Sequence, residues 1–216
     1  MSNVCSARQS GRYRLRSILV AITSALASLS ACSVTPELVP VDPSGGRMEF
    51  NGFSILPPGG TGWQRVAAGD GATRELTNIT FVKGNGEASY IAEIAVIDAR
   101  EQPFASIDEL MATLRTTPRF LESPRQTNLR YEMKPDNALG SDCARFDLVA
   151  TDTRSPGHPG QVLDIDSQGF YCLHPSKGFV LQAYHSRRTP RGIPHVADLG
   201  QGERLVRSVQ MLPVRY

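Results

Sequence analysis

Four histidines stand in the downstream part of the chain, His158, His174, His185 and His195, and imidazole is the first place to look for metal or acid–base chemistry. None lies four residues from another, and the chain contains no His-Glu-x-x-His and no Cys-x-x-Cys. His158 falls in a Pro-Gly-rich turn, His174 precedes Pro175, and His185 ends a strand-like run, so they read as turn or surface histidines with no metal assigned. Asp164 and Asp166 share a strand face, and with Asp147 and Asp152 nearby they sketch a calcium site. Calcium prefers loops dense in oxygen, so these carboxylates are expected on a solvated face instead. There is no Gly-x-Ser-x-Gly elbow and no phosphate-binding glycine loop; Gly84-Asn85-Gly86 and Gly200-Gln201-Gly202 are turn glycines. No catalytic residue and no cofactor is therefore assigned, and the expectation is a protein that is not an enzyme. Trp63, Tyr184 and the cluster Arg187, Arg188 and Arg191 remain; Trp63 and the arginines are candidates to meet a partner, the arginines as a loop facing an acidic surface or phosphate headgroups.

Residues 1–16 carry Arg8, Arg12, Arg14 and Arg16 without an acid, and Ser17 to Ala31 is a 15-residue apolar run. A bilayer crossing needs roughly 20 such residues, so this is the plan of a secretory signal peptide and not of a transmembrane helix. The 23 basic residues then divide unevenly: four leave with the leader, and the remainder holds 19 basic against 21 acidic side chains. The sequence pI of about 8.4 belongs to the leader. A nucleic-acid partner is not expected, because no basic stripe is left to neutralise phosphates.

Leu29-Ser30-Ala31-Cys32 resembles the lipobox of bacterial lipoproteins. The resemblance implies cleavage after residue 31, a lipid on the Cys32 thiol, and a partner in the membrane lipid itself. Two or three acyl chains would anchor the protein stably where one would not. Ser33, and not Asp, follows the Cys, which resembles the pattern sorted to the outer membrane with the protein facing the periplasm. Residues 32–47 hold three prolines and two adjacent glycines and read as a flexible tether with a reach of about 45 Å.

Residues 48–216 read as one α+β domain. Met48–Ile55, Thr77–Lys83, Tyr90–Asp98 and Leu129–Lys134 have strand composition, and Asn85-Gly86 is a hairpin turn. Ser106 and Glu109 make a capping box before Ile107, Leu110, Met111 and Leu114, a helix that Pro118 ends. Further strands are predicted over 143–152, 162–173 and 178–186, and a second helix from about Glu203 to Met211. Two helices on a largely antiparallel sheet predict a sheet covered by helices.

Cys5 leaves with the leader and Cys32 takes lipid, so Cys143 and Cys172 remain, a natural pair in an oxidising compartment. A hairpin centred on the turn Pro156-Gly157-His158-Pro159-Gly160 pairs residues whose numbers sum to 315, as 143 and 172 do. The same register sets Ala150 opposite Ile165, with Phe146, Leu148 and Leu163 on their face.

Gly52-Phe53-Ser54-Ile55-Leu56-Pro57 followed by Gly62-Trp63, and the closing Leu205-Val206-Arg207-Ser208-Val209, are similar to motifs of the PsbP-like superfamily. That resemblance implies an α/β/α sandwich and a non-enzymatic accessory role. The extra Gly-Gly-Thr before Gly62 departs from the usual spacing. The expected function is a lipid-anchored, non-catalytic cell-envelope lipoprotein that binds or assists another envelope component. A periplasmic small-ligand- or lipid-binding module is the alternative, and a cell-wall hydrolase a more distant one.

Overall fold

The computed structural model describes residues 37–67, 78–84, 88–116, 126–140, 142–155, 159–192 and 199–215. The chain divides into two compact units, Met1–Val34 and Thr35–Tyr216, and every described residue belongs to the second. The leader, Cys32, His158, His195, Pro118 and the Asn85-Gly86 turn lie outside the described residues.

Its elements are β1 (Leu38–Pro40), β2 (Met48–Phe50), β3 (Phe53–Ile55), β4 (Gln64–Val66), β5 (Asn78–Gly84), β6 (Ser89–Asp98), α1 (Ile107–Thr116), β7 (Gln126–Pro135), β8 (Cys143–Asp152), β9 (Leu163–Leu173), β10 (Phe179–Pro190), α2 (Leu199–Arg207) and β11 (Gln210–Met211). Eight strands form one sheet in the order β1-β4-β5-β6-β10-β9-β8-β7, and β11-β3-β2 form a second. Every described pairing is antiparallel.

This is a mainly β fold, which corrects the expected α+β sheet covered by helices and the α/β/α sandwich implied by resemblance. The helices have only 10 and 9 residues, whereas β8, β9 and β10 have 10, 11 and 12. A ten-residue helix spans about 15 Å while a strand of the same length spans about 33 Å. One helix therefore covers less than half of a strand. α1 packs Leu110, Met111 and Leu114 against Ala144, Phe146, Tyr171 and Val180, and the rest of that sheet face extends beyond it. On the opposite face Leu205 and Val206 of α2, together with Phe53 and Ile55 of the small sheet, close a core on Phe81, Ile94, Phe170 and Leu181.

The local chemistry behind these elements is plain. In β6, Tyr90, Ala92, Ile94 and Val96 are all buried while Ile91, Glu93 and Ala95 are half-buried, the two-residue period of a strand whose second face is only partly covered. At α1 the Ser106 hydroxyl accepts from Glu109 N at 3.3 Å, and the Glu109 carboxylate accepts from Ala105 N at 2.8 Å, one residue upstream of the usual capping-box return.

Several boundaries differ from expectation: Gln64–Val66 is a strand that the sequence reading did not predict, and β7 starts at Gln126 and not at Leu129. The run 48–55 is a hairpin, turned at Asn51-Gly52 where Gly52 has φ +96°, a left-handed backbone that glycine adopts without strain. Residues 38–40 of the expected tether are β1, paired with β4; proline is tolerated there because the strand lies at the sheet's edge. The second helix begins at Leu199 and ends at Arg207, and Gln210–Met211 pair with β3 instead of continuing it. Finally, β10 runs on to Pro190.

The β8–β9 hairpin has the expected register. Cys143 is opposite Cys172 and Ala150 opposite Ile165, and the two cysteines form a disulfide with Cα atoms 4.0 Å apart.

Candidate functional site

Away from α1 no described element covers the sheet face, and there a cavity of about 370 Å³ lies against the strands. Four strands supply its polar groups: Glu93 from β6, Tyr131 from β7, Tyr171 from β9, and Gln182, Tyr184 and Arg188 from β10. The register brings them together, since Tyr184 stands opposite Glu93 on one side and Gly169 on the other, and Gly169 stands opposite Phe146. A Cβ at residue 169 would lie 2.3 Å from the Ala183 carbonyl oxygen and 2.5 Å from Tyr184 Cβ, so glycine is what lets these strands approach. Around the Phe146 ring sit Tyr171, Tyr131 and Tyr184, with centroids 5.3, 5.9 and 6.5 Å away.

The Tyr184 hydroxyl donates to Glu93 Oε2 at 3.3 Å, and the Thr80 hydroxyl reaches the same oxygen at 3.3 Å. Gln182 Nε2 donates to the Tyr171 hydroxyl oxygen at 2.8 Å, and Ser167 and Ser186 hydrogen-bond at 2.7 Å at the buried end. Burial pushes all three phenols above their ordinary value, Tyr131 to about 12, with the Arg115 charge partly opposing. For Tyr171 and Tyr184 the Glu93 charge pushes further in the same direction. All three hydroxyls thus keep their protons at physiological pH, where they serve as hydrogen-bonding groups and not as bases.

The residues singled out from sequence fall elsewhere or in other roles. Arg187 and Arg188 lie within β10, not in a loop, and so point to opposite faces. Arg187 is 2% exposed, with its guanidinium 3.5 Å from Asp166. Arg188 lines the cavity with its guanidinium 3.9 Å from buried Asp152, and Arg191 bonds Asp164 at 3.1 Å and Thr151 at 2.8 Å. Each of these three arginines is thus answered by a carboxylate of the same chain. The sketched calcium site dissolves for the same reason: Asp152 faces the cavity side while Asp147, Asp164 and Asp166 face the other, and Arg145 lies 3.2 Å from Asp147. Among the described residues no group of three or more His, Cys, Asp or Glu side chains is placed to hold a metal ion.

Trp63 is 2% exposed and donates its indole N–H to Gln201 Oε1 of α2 at 3.0 Å, so it presents no surface to a partner. His174 is also buried: Nδ1 accepts from Ser176 N at 3.0 Å, which leaves Nε2 to donate to the Gly52 carbonyl at 2.8 Å and pins the β2–β3 turn.

His185 lies in mid-strand beneath α2, where a Cβ on Gly202 would come within 2.6 Å of its own Cβ. Burial depresses its pKa, aided by the charges of Arg145 and Arg207 and opposed by Glu203 and Asp166. The neutral ring is thus the folded form. Its contribution to stability is whole above the ordinary histidine value of about 6.5 and is lost as pH falls below it. Thermal melts between pH 7.5 and 5 should show stability declining with acid, and His185→Gln should flatten that decline by up to about one proton taken up on unfolding.

Sequence reading missed Glu93, Tyr131 and Tyr171 as site residues. A carboxylate at mid-strand in Tyr90–Asp98 was the available signal; the convergence of four strands was not. No protein-family model and no curated protein sequence matches this chain.

Proposed function

We propose that this chain is a lipid-anchored, non-catalytic binding protein of the bacterial cell envelope, whose folded part takes a small ligand on the open face of its main sheet. The observation that carries the binding reading is the cavity itself, with polar groups from four strands converging over an aromatic floor. Its tyrosines, held protonated, favour recognition over proton transfer. Anchoring is supported by Leu29-Ser30-Ala31-Cys32 and outer-membrane retention by Ser33, and the Cys143–Cys172 bond fits an oxidising compartment. Among the described residues no helix is long and apolar enough to cross a membrane.

Two measurements test this reading. Cys32→Ser should move the protein from the membrane fraction to the soluble periplasmic fraction; unchanged partition would remove the lipid anchor. A thermal-shift screen of lipids, metal ions and small metabolites should find compounds that raise Tm in the wild-type chain but not in Tyr184→Ala.

A second reading, an accessory protein for another envelope protein, is favoured by β7. This ten-residue strand stands last in the sheet, with one edge paired by no described strand. In-cell crosslinking followed by mass spectrometry should then capture one dominant protein through that edge.

A further inference from the structure

We propose that the cavity's ligand is a small organic ammonium ion, a primary amine on an apolar body, with the Glu93 carboxylate as its counter-ion. This rests on the binding reading above and adds the chemistry of what is bound.

The argument is one of charge complementarity within a built cavity. Among the described residues two ionic side chains line it, and they are not equivalent. Arg188 already faces Asp152, its guanidinium 3.9 Å from a carboxylate that is itself fully buried. Among the described residues the groups that hydrogen-bond Glu93 are all neutral: the Tyr184 and Thr80 hydroxyls at 3.3 Å and the Asn78 amide at 3.5 Å, at the long end of hydrogen-bond distance. The charge without an ionic answer at this site is therefore negative, and a cation entering the cavity completes it.

The surroundings suit an ammonium group and not a bare cation. The Tyr184 hydroxyl touches the Glu93 carboxylate, and the Tyr171 and Tyr131 rings flank the same aromatic floor. Phenol oxygens accept N–H donors, and ring faces attract the charge and cover the carbon next to it. Phe146, Leu148 and Ile165 also line the cavity and offer an apolar body its contact surface. Burial above all raises the Tyr171 pKa, and the neighbouring phenols and the Glu93 charge add to it.

The test compares three charges on one skeleton with the full-length protein in detergent: 2-phenylethylamine, 2-phenylethanol and 3-phenylpropionate, with butylamine, butanol and butyrate as a second set. Binding is read by calorimetry and by Tm. The expected result is that the amine of at least one set binds at least tenfold more tightly than its alcohol, with no binding of the acid. Glu93→Gln should remove that preference while melting within a few degrees of the wild type. Tyr184→Phe should retain a weakened preference, which guards against a folding defect in the first variant. Equal binding of amine and alcohol, or retention of the preference by Glu93→Gln, overturns the amine while leaving a small-ligand site in place. Binding by none of the six compounds also overturns it, and the binding reading is then decided by the wider screen and by crosslinking.

Discussion

Replacing Trp63 with Ala should lower the free energy of unfolding by about 3–5 kcal/mol, the range found when a buried large aromatic is truncated. The indole is 2% exposed and belongs to the buried cluster of Phe53, Phe81, Tyr90 and Leu205, so its removal leaves a cavity bounded by the sheet and α2. Its N–H also holds Gln201, whose amide oxygen accepts from Lys83 at 3.1 Å as well. Trp63→Phe keeps most of the apolar contact and removes the N–H donor, so its cost should be smaller, about 1–2 kcal/mol. Urea denaturation of both variants checks this through the midpoint at constant m-value. A loss below about 1 kcal/mol for Trp63→Ala would contradict its place in the core. The same result bears on function, because any binding defect of Trp63→Ala would follow the unfolded fraction and not a lost surface contact.

Opening the Cys143–Cys172 bond should cost about 3–4 kcal/mol, from the chain-entropy cost of a loop of this length. The cysteines are 29 residues apart, wholly buried, and directly opposed on β8 and β9 at the end of the hairpin far from its turn. In a protein of this size that corresponds to a fall in Tm of roughly 7–15 °C. Cys143→Ala with Cys172→Ala, compared with the oxidised wild type, measures it; intact mass after alkylation with and without reductant confirms the starting state. A change of less than about 1 kcal/mol would mean that the native pairing holds the hairpin without help. Because Tyr171 neighbours Cys172 in β9, the double variant should also weaken any amine bound at the cavity.

Most individual strands were legible from residue order, and so was one long-range contact. Alternation marks β5, β6, β8 and β9 within one or two residues, because one face of each is drier than the other. The β8–β9 register followed from a turn and two cysteines, since a hairpin's pairing is set by where it turns. Ser106 and Glu109 marked the start of α1 through chemistry that acts within one turn. The turn at Asn51-Gly52 was equally available, an Asn-Gly pair between apolar residues that the continuous strand reading passed over.

The rest depended on separations that periodicity does not carry. Arg187, Arg188 and Arg191 read as a basic loop because a charge run shows its sign but not its neighbours. Their answering carboxylates, Asp166, Asp152 and Asp164, arrive only through the pairing of β10 with β9 and of β9 with β8. Trp63 read as a surface aromatic because its burial is imposed by α2, well over a hundred residues away in the chain. The cavity is the extreme case. Glu93, Tyr131, Tyr171 and Tyr184 come from four strands in the order β6-β10-β9-β7, with β8 between the last two. Composition and local pattern determined most of the longer strands, one helix start and one disulfide, each a property of neighbours in sequence or of a single hairpin. Only the tertiary structure decided that a short α1 leaves part of a long sheet face uncovered by any described element, because coverage depends on helix length against strand length once both are packed.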